Sequence, residues 1–357
     1  MQSDTKSSYI SWLPVAKALS IICIIIFHIY MGQFRYLFYQ GTNVFFLLSG
    51  LAIGTSLIQR NSFPKIQWLS WWQIRLLRLY PLWLLVLLIA MIAYALNFSF
   101  MNLNFGAVNP ISDFLLHGLM LHVYSAPSYY SINIAWWFQG IIVQCYLLTP
   151  LFVYLTRSKT STTLLIGIAL LSWLSLNIVL RFSFNTNYEL LRLYLGQASF
   201  GWLWYMVGIV CTLRYSASLN NDSTFSTKWS VPIFFISLFY ISGYHIFLSQ
   251  ISMSDWLAFI FSFLASAAMV FIIIFMSHWL YVTLSAKNGI RFIPLSMVWV
   301  GSLSYAAYLS HMFFTPVLVL PVPWLMRIAA YFAVVLIASY VLTRTENKIR
   351  FLLEKPL

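Results

Sequence analysis

Apolar residues in this chain come in runs as long as a bilayer is thick, and that spacing decides what it can fold into. A helix needs about 20 such residues to cross roughly 30 Å of hydrocarbon. Runs of this kind are centred on Leu13–Met31, Thr42–Gln59, Leu79–Leu96, Ile134–Leu155, Leu164–Leu180, Leu195–Leu213, Val231–Phe247, Trp256–Met276, Ser296–Val317 and Trp324–Leu342, ten in all. Lipid offers the backbone no hydrogen bonds, so each run must satisfy its own N–H and C=O groups as a helix. The expectation is an all-α polytopic membrane protein. Composition agrees, because a chain that is 61% apolar and 8% charged carries more grease than a water-soluble domain needs.

An eleventh run, Ile111–Tyr124, is short and contains Asp113, His117 and His122. It suits an interfacial or re-entrant helix better than a span. The charge bias tests that decision. With ten spans and a cytoplasmic N-terminus, sixteen of the 20 basic residues face the cytoplasm and only Arg35, Arg181, Arg192 and Arg327 lie outside. If the eleventh run also spanned, the split would be nine inside against eleven outside. The positive-inside rule therefore selects ten spans, with both termini cytoplasmic, in the cell membrane. The net charge of +13 is then a matter of orientation and anionic lipid headgroups. It makes no case for nucleic acid.

The first run ends in IYMGQF, without the small-residue cleavage pattern of a signal peptide, and is expected to be a retained helix. No repeat or soluble appendage is visible, so residues 1–357 are read as one membrane domain. Cys23, Cys145 and Cys211 lie in apolar runs, where they are expected to be packing residues. No HExxH or CxxC spacing occurs, and no metal is expected.

Few residues in such a chain can do chemistry. His28 falls near the outer end of the first helix and Asn43 near the outer start of the second, at similar depth. A neutral imidazole can take a proton from a hydroxyl if its other nitrogen is held, and an asparagine oxygen can hold it. A histidine simply bonded to a neighbouring helix is an equal reading. Arg75 and Arg78 stand three residues apart on one helix face, leading into Pro81 on the cytoplasmic side. Forked guanidiniums match phosphate oxygens, although ordinary interfacial anchoring would use the same residues. Trp68, Trp71 and Trp72 beside them read as an interfacial belt. His311 falls in the outer half of its helix, and alone it reads as a packed structural histidine. His117 and His122 are expected to meet solvent or lipid headgroups, or to line an acceptor groove. Tyr124, Tyr129 and Tyr130 suit either sugar stacking or a membrane interface. Asp113, Glu189 and Asp255 are the only acids near the outer side, and no carboxylate pair sits in the hydrocarbon. That argues against a proton-coupled transporter.

Together these stretches resemble the membrane acyltransferase-3 family. The resemblance is carried by His28, by GxxxFFxLSG at Gly41 to Gly50, and by RxxRxxP at Arg75, Arg78 and Pro81. It continues through the WFxxxIxQxYLLxP-like run at Trp137 to Pro150 and GxxSYxxYLxH at Gly301 to His311. Two positions depart from the family pattern. Asn43 stands where an aspartate commonly precedes the FF pair, and Ile142 where many members carry glutamate. Asparagine can fix a tautomer but cannot stabilise an imidazolium as a carboxylate does, so an acid such as Asp113 is a candidate assistant.

The resemblance implies an O-acyltransferase that uses a cytoplasmic acyl-CoA, commonly acetyl-CoA, as donor substrate. The acceptor it implies is a hydroxyl of an extracytoplasmic polysaccharide or lipid-linked glycan. Membrane lipids and envelope-biosynthesis proteins are the expected partners. Arg75 and Arg78 would bind the donor phosphates, and His28 would be the general base. His311, Tyr305 or a backbone amide near Gly50 would steady the oxyanion. Ser49 is a candidate acyl carrier, but it lies six residues past Asn43, about 9 Å deeper, and ranks below direct transfer. The rival from another class is a glycan or lipid exporter, or a polymerase-like carrier, whose arginines grip a lipid pyrophosphate.

Overall fold

The computed structural model describes residues 10–29, 38–59, 66–96, 103, 109–125, 127–157, 201–214, 230–248, 255–285 and 290–353. These are helical almost throughout, with no strand among them. The elements are α1 (Leu13–Ile29), α2 (Gly41–Gln59), α3 (Trp68–Ala95), α4 (Pro110–Gly118), a 3-10 turn (His122–Tyr124) and α5 (Trp137–Arg157). After α6 (201–214) come α7 (Ser230–Leu248), α8 (Asp255–Ser285), α9 (Phe292–Ser302) and α10 (Ser304–Ser310). A 3-10 segment (His311–Val319) and α11 (Trp324–Leu353) complete the chain.

Five of these, α2, α3, α5, α8 and α11, contain stretches long and apolar enough to cross a membrane. A sixth span exists if α9, α10 and the 3-10 segment form one broken crossing. α1, at 17 residues, falls just short of that length, and α7 counts as a shorter apolar helix over Ser230–Tyr240. Of the ten expected runs, Leu164–Leu180 lies outside the described residues. The short Ile111–Tyr124 run is α4 and its 3-10 turn, with no helix of spanning length.

The chain folds as two compact units. The first comprises residues 1–65, 151–167 and 202–302. In it α1 packs on α2, α8 and α9, and α8 also packs on α2 and α7. Its helices approach so closely that some positions admit no side chain. A Cβ on Gly50 would lie 2.1 Å from the carbonyl oxygen of Tyr205, and one on Gly208 would lie 2.3 Å from that of Leu47. At Gly301 it would lie 1.9 Å from Pro14 O. Small residues at crossings are how membrane helices gain packing where the hydrophobic effect between them is absent.

The second unit comprises residues 66–150, 168–201 and 303–357. Here α3 packs on α4, α10 and α11, and α11 also covers α10 and the 3-10 segment after it. Pro81 sits inside α3 and has no N–H to offer the carbonyl of Leu77. The loosened turn presents the next two carbonyls to side chains from elsewhere. Arg350 of α11 donates to Arg78 O at 2.6 Å, and Tyr305 of α10 donates to Leu79 O at 3.1 Å.

Candidate functional site

In the first unit, His28 lies in the last turn of α1 and is half-buried, not sealed in aliphatic packing. Asn43 is buried at the start of α2, and its amide N–H donates to Gln40 Oε1 at 2.7 Å. Ser49, one turn and a half further along, is half-buried. Gly50 cannot serve the oxyanion. It lies mid-helix, so its N–H is spent on the preceding turn, and its face is occupied by the backbone of α6. The LSG ending of the α2 motif is a packing device.

In the second unit, the arginine pair divides. Arg75 is buried, with its guanidinium carbon 5.4 Å from the centre of the Trp71 ring, whereas Arg78 is exposed. Positions three apart on a helix differ by about 60° in direction, enough to place one inward and one on the rim. The tryptophans are more than a belt. Trp71 is buried edge-on to both Trp68 and Tyr146, and Trp72 Nε1 donates to Tyr146 O at 2.9 Å. Tyr146 in turn lies within electrostatic reach of both arginines. Tyr305 belongs to this end of the unit, bonded to Leu79 O next to Arg78, and not beside an outer oxyanion. Two residues missed from the sequence join them. Glu346 is buried and ion-paired with Arg350, whose guanidinium also reaches Arg78 O. No motif flagged these two, because a glutamate and an arginine four apart read as an ordinary helix-surface pair.

His311 is fully buried where α10 gives way to the 3-10 segment. Its Nδ1–H donates to Tyr308 O at 2.8 Å, which leaves the lone pair on Nε2, while its own carbonyl accepts from Tyr331 Oη at 2.9 Å.

The largest departure from expectation is at α4. Asp113, His117 and His122 are all buried, not solvated and not at lipid headgroups. Asn109 caps α4 by accepting from Ile111 N at 2.9 Å, and Pro110 opens it. At its end, Met120 N bonds His117 O and Leu121 N bonds Leu116 O, the paired bonds of a Schellman turn. The left-handed position of that turn usually holds glycine, yet here it is Met120, with φ of 56°. The reversal folds the 3-10 turn back and stacks His122 on His117, their ring centres 4.1 Å apart and 9° from parallel. Trp83 stacks on both rings and its Nε1–H donates to His117 O at 2.9 Å. Trp136 closes the cluster edge-on at 4.7 Å from Trp83, and its own N–H bonds Leu309 O at 3.0 Å.

Carbonyl partners set both tautomers. His117 Nδ1–H donates to Asp113 O at 2.9 Å and lies 3.4 Å from the carboxylate. His122 Nε2–H donates to Trp136 O at 3.1 Å. Burial, and after it the neighbouring His117, hold His122 well below the ordinary histidine range, with the Trp136 bond a partial offset. Burial alone would raise Asp113, but hydrogen bonds from His117, Ser131 and Ser128 outweigh it and bring the carboxyl below its usual value. Asp113 is therefore the partner of His117 and Ser131, both inside its own unit. Among the tyrosines, Tyr129 is buried and Tyr124 exposed, so they form no common stacking surface. Cys23, Cys145 and Cys211 are unpaired, in line with packing roles.

Comparison with known proteins gives the chemistry a class. The model of the acyltransferase-3 family, described as an acyltransferase domain, matches residues 10–344. No curated protein and no solved structure matches the chain. The matched stretch runs from just before α1 into α11 and takes in His28, the glycine crossings, Arg75, Arg78 and His311. A match of that extent leaves one conclusion: the chain belongs to the acyltransferase-3 family, and it is an acyltransferase.

Proposed function

We propose that the protein transfers an acetyl group from cytoplasmic acetyl-CoA to a hydroxyl of an extracytoplasmic polysaccharide or lipid-linked glycan. In this reading the chain lies in the cell membrane with both termini in the cytoplasm. Arg75 and Arg78 hold the phosphates of CoA, and Tyr305 steadies the turn that carries them. His28 is the general base, with Asn43 orienting it. His28 takes the proton of the acceptor hydroxyl as its oxygen attacks the thioester carbonyl carbon. The tetrahedral species then collapses, the C–S bond breaks, and the proton passes to the departing thiolate. His311 would steady the oxyanion through Nε2 only as the imidazolium, since its Nδ1–H is held by Tyr308 O, and Ser49 would act only in a two-step route.

The observation that carries the donor assignment is the arginine cluster itself. It sets Arg75 and Arg78 within electrostatic reach of Tyr146 beside Trp71, and brings the Arg350–Glu346 pair to the Arg78 carbonyl. Guanidiniums in apolar surroundings need anionic partners, and a nucleotide thioester brings several. The test is direct. Membranes supplied with radiolabelled acetyl-CoA are expected to label glycan, and His28→Ala is expected to abolish labelling while the protein still inserts. Full labelling by that variant would remove His28 as the base. No labelling by the wild type with any glycan-bearing membrane would favour the carrier.

A further inference from the structure

The family match ends at residue 344, yet α11 continues to Leu353 and its last turns return to the arginine cluster. Nothing in the family pattern accounts for Glu346 or Arg350. An i, i+4 Glu–Arg pair on a helix is usually a solvated surface contact of small worth. This one is different in three respects. Glu346 is only 6% exposed. Arg350 spends a second donor on the carbonyl of Arg78, within the turn loosened by Pro81. Tyr305, bonded to the adjoining Leu79 O, lies within electrostatic reach of Glu346, Arg350 and Tyr146.

The donor count is lopsided as well. Arg350 Nε and Trp71 Nε1 are buried N–H groups with no hydrogen-bond acceptor. Buried donors in folded proteins are nearly always satisfied, so Arg350 Nε beside Glu346 and Trp71 Nε1 beside Arg75 each keep capacity for an acceptor oxygen. A carboxylate offers two oxygens. A phosphate offers more, with higher charge, and fits the guanidinium fork equally well.

We propose that Arg350 is a further ligand for the donor's phosphates and that Glu346 is an internal anion that holds Arg350 in place until a phosphate displaces it. This rests on the reading of Arg75 and Arg78 as the donor site. The carboxylate keeps a half-buried guanidinium neutralised when no donor is bound, and the guanidinium in turn compensates the buried Glu346. It also competes with the donor, so it sets affinity from within the chain. The C-terminal end of α11 thereby tunes a site whose other residues belong to the family pattern.

The experiment measures binding of CoA by titration calorimetry to the full-length protein in lipid nanodiscs. Arg350→Ala is expected to weaken binding about tenfold or more, the scale of one charge-assisted hydrogen bond, and Arg350→Lys by less, because it keeps the charge and loses the fork. Glu346→Gln is expected to tighten binding severalfold. In the double variant Glu346→Gln with Arg350→Ala, affinity should equal that of Arg350→Ala alone, since the carboxylate acts through Arg350. Arg75→Ala separates the two readings. If it weakens binding while Arg350→Ala and Arg350→Lys leave it within about twofold, the donor site stands and the role of Arg350 is overturned. If Arg75→Ala is also without effect, the donor-site reading falls. Weaker binding by Glu346→Gln would make the carboxylate a scaffold and overturn the displacement. Should Arg350→Ala fail to fold, Arg350→Lys and Glu346→Gln decide between the same outcomes.

Discussion

Replacing Gly50 with alanine tests whether its place in the α2 motif is packing or chemistry. The added methyl carbon would sit 2.1 Å from Tyr205 O and 3.0 Å from Tyr205 C, where ordinary contact begins at 3.4 Å. The obstacle is backbone, so no side chain can swing aside. α2 and α6 must part by more than 1 Å, and the opposite glycine, Gly208, sits in the same seam against Leu47 O. A gap of that size forfeits a quarter to a half of each dispersion contact along the crossing. Overpacked sites typically cost about 1–3 kcal/mol, and an immovable neighbour puts this one at about 3. At roughly 2–4 °C per kcal/mol, the melting temperature should fall by about 6–12 °C. The assay is a thermal melt by tryptophan fluorescence in one detergent, with Gly118→Ala as control. A Cβ at Gly118 meets only Leu87 Cδ2, at 3.8 Å, so that variant should melt at or slightly above wild type. A Gly50→Ala protein that melts like wild type but has lost acyl transfer would refute the argument and return the residue to the oxyanion.

Four further outcomes follow from named contacts. His122 is held neutral in the folded state, so below the unfolded value of about 6.5 the unfolded chain binds a proton that the native one refuses. Stability should therefore fall as pH drops from about 6.5, by at most about 1.4 kcal/mol per pH unit for that proton. His122→Phe should flatten the melting profile there, and a wild-type profile already flat from pH 7.5 to 5 would sink the claim. Asp113 is lowered too, but for a carboxyl that shift favours the charged form, so its contribution should persist above about pH 3.9 and fade only below it. Tyr305→Phe removes the bond to Leu79 O and should raise KM for acetyl-CoA about two- to tenfold with kcat little changed. A fall in kcat alone would place the hydroxyl at the reacting group instead. Asn43→Asp is expected to raise kcat, because a carboxylate stabilises imidazolium better than an amide does. No gain would mean that Asn43 serves only its bond to Gln40.

What the sequence determined by itself is set by solvent and by spacing. Apolar run length dictates helices, since hydrocarbon leaves the backbone no other way to bond, and the family follows from motifs whose residues keep their order along the chain. The arginines at 75 and 78 were legible as a pair for the same reason. Their unequal burial was not, because a rotation of about 60° on a helix has meaning only once a neighbour occupies one side.

The rest was decided by tertiary contact. Met120 in a glycine's position turns the chain so that His122 lands on His117, and no composition rule around Asp113 and two histidines favours burial over solvent. By sequence an amide near Gly50 is a candidate for the oxyanion; the Tyr205 carbonyl, 155 positions away, occupies the space a side chain there would need and makes the residue a packing position. Glu346 and Arg350 acquired a role only when α11 brought them to Arg78 O across 272 residues. Local sequence sets which groups a helix carries; long-range packing sets which of them meet, because that depends on the surface another segment presents.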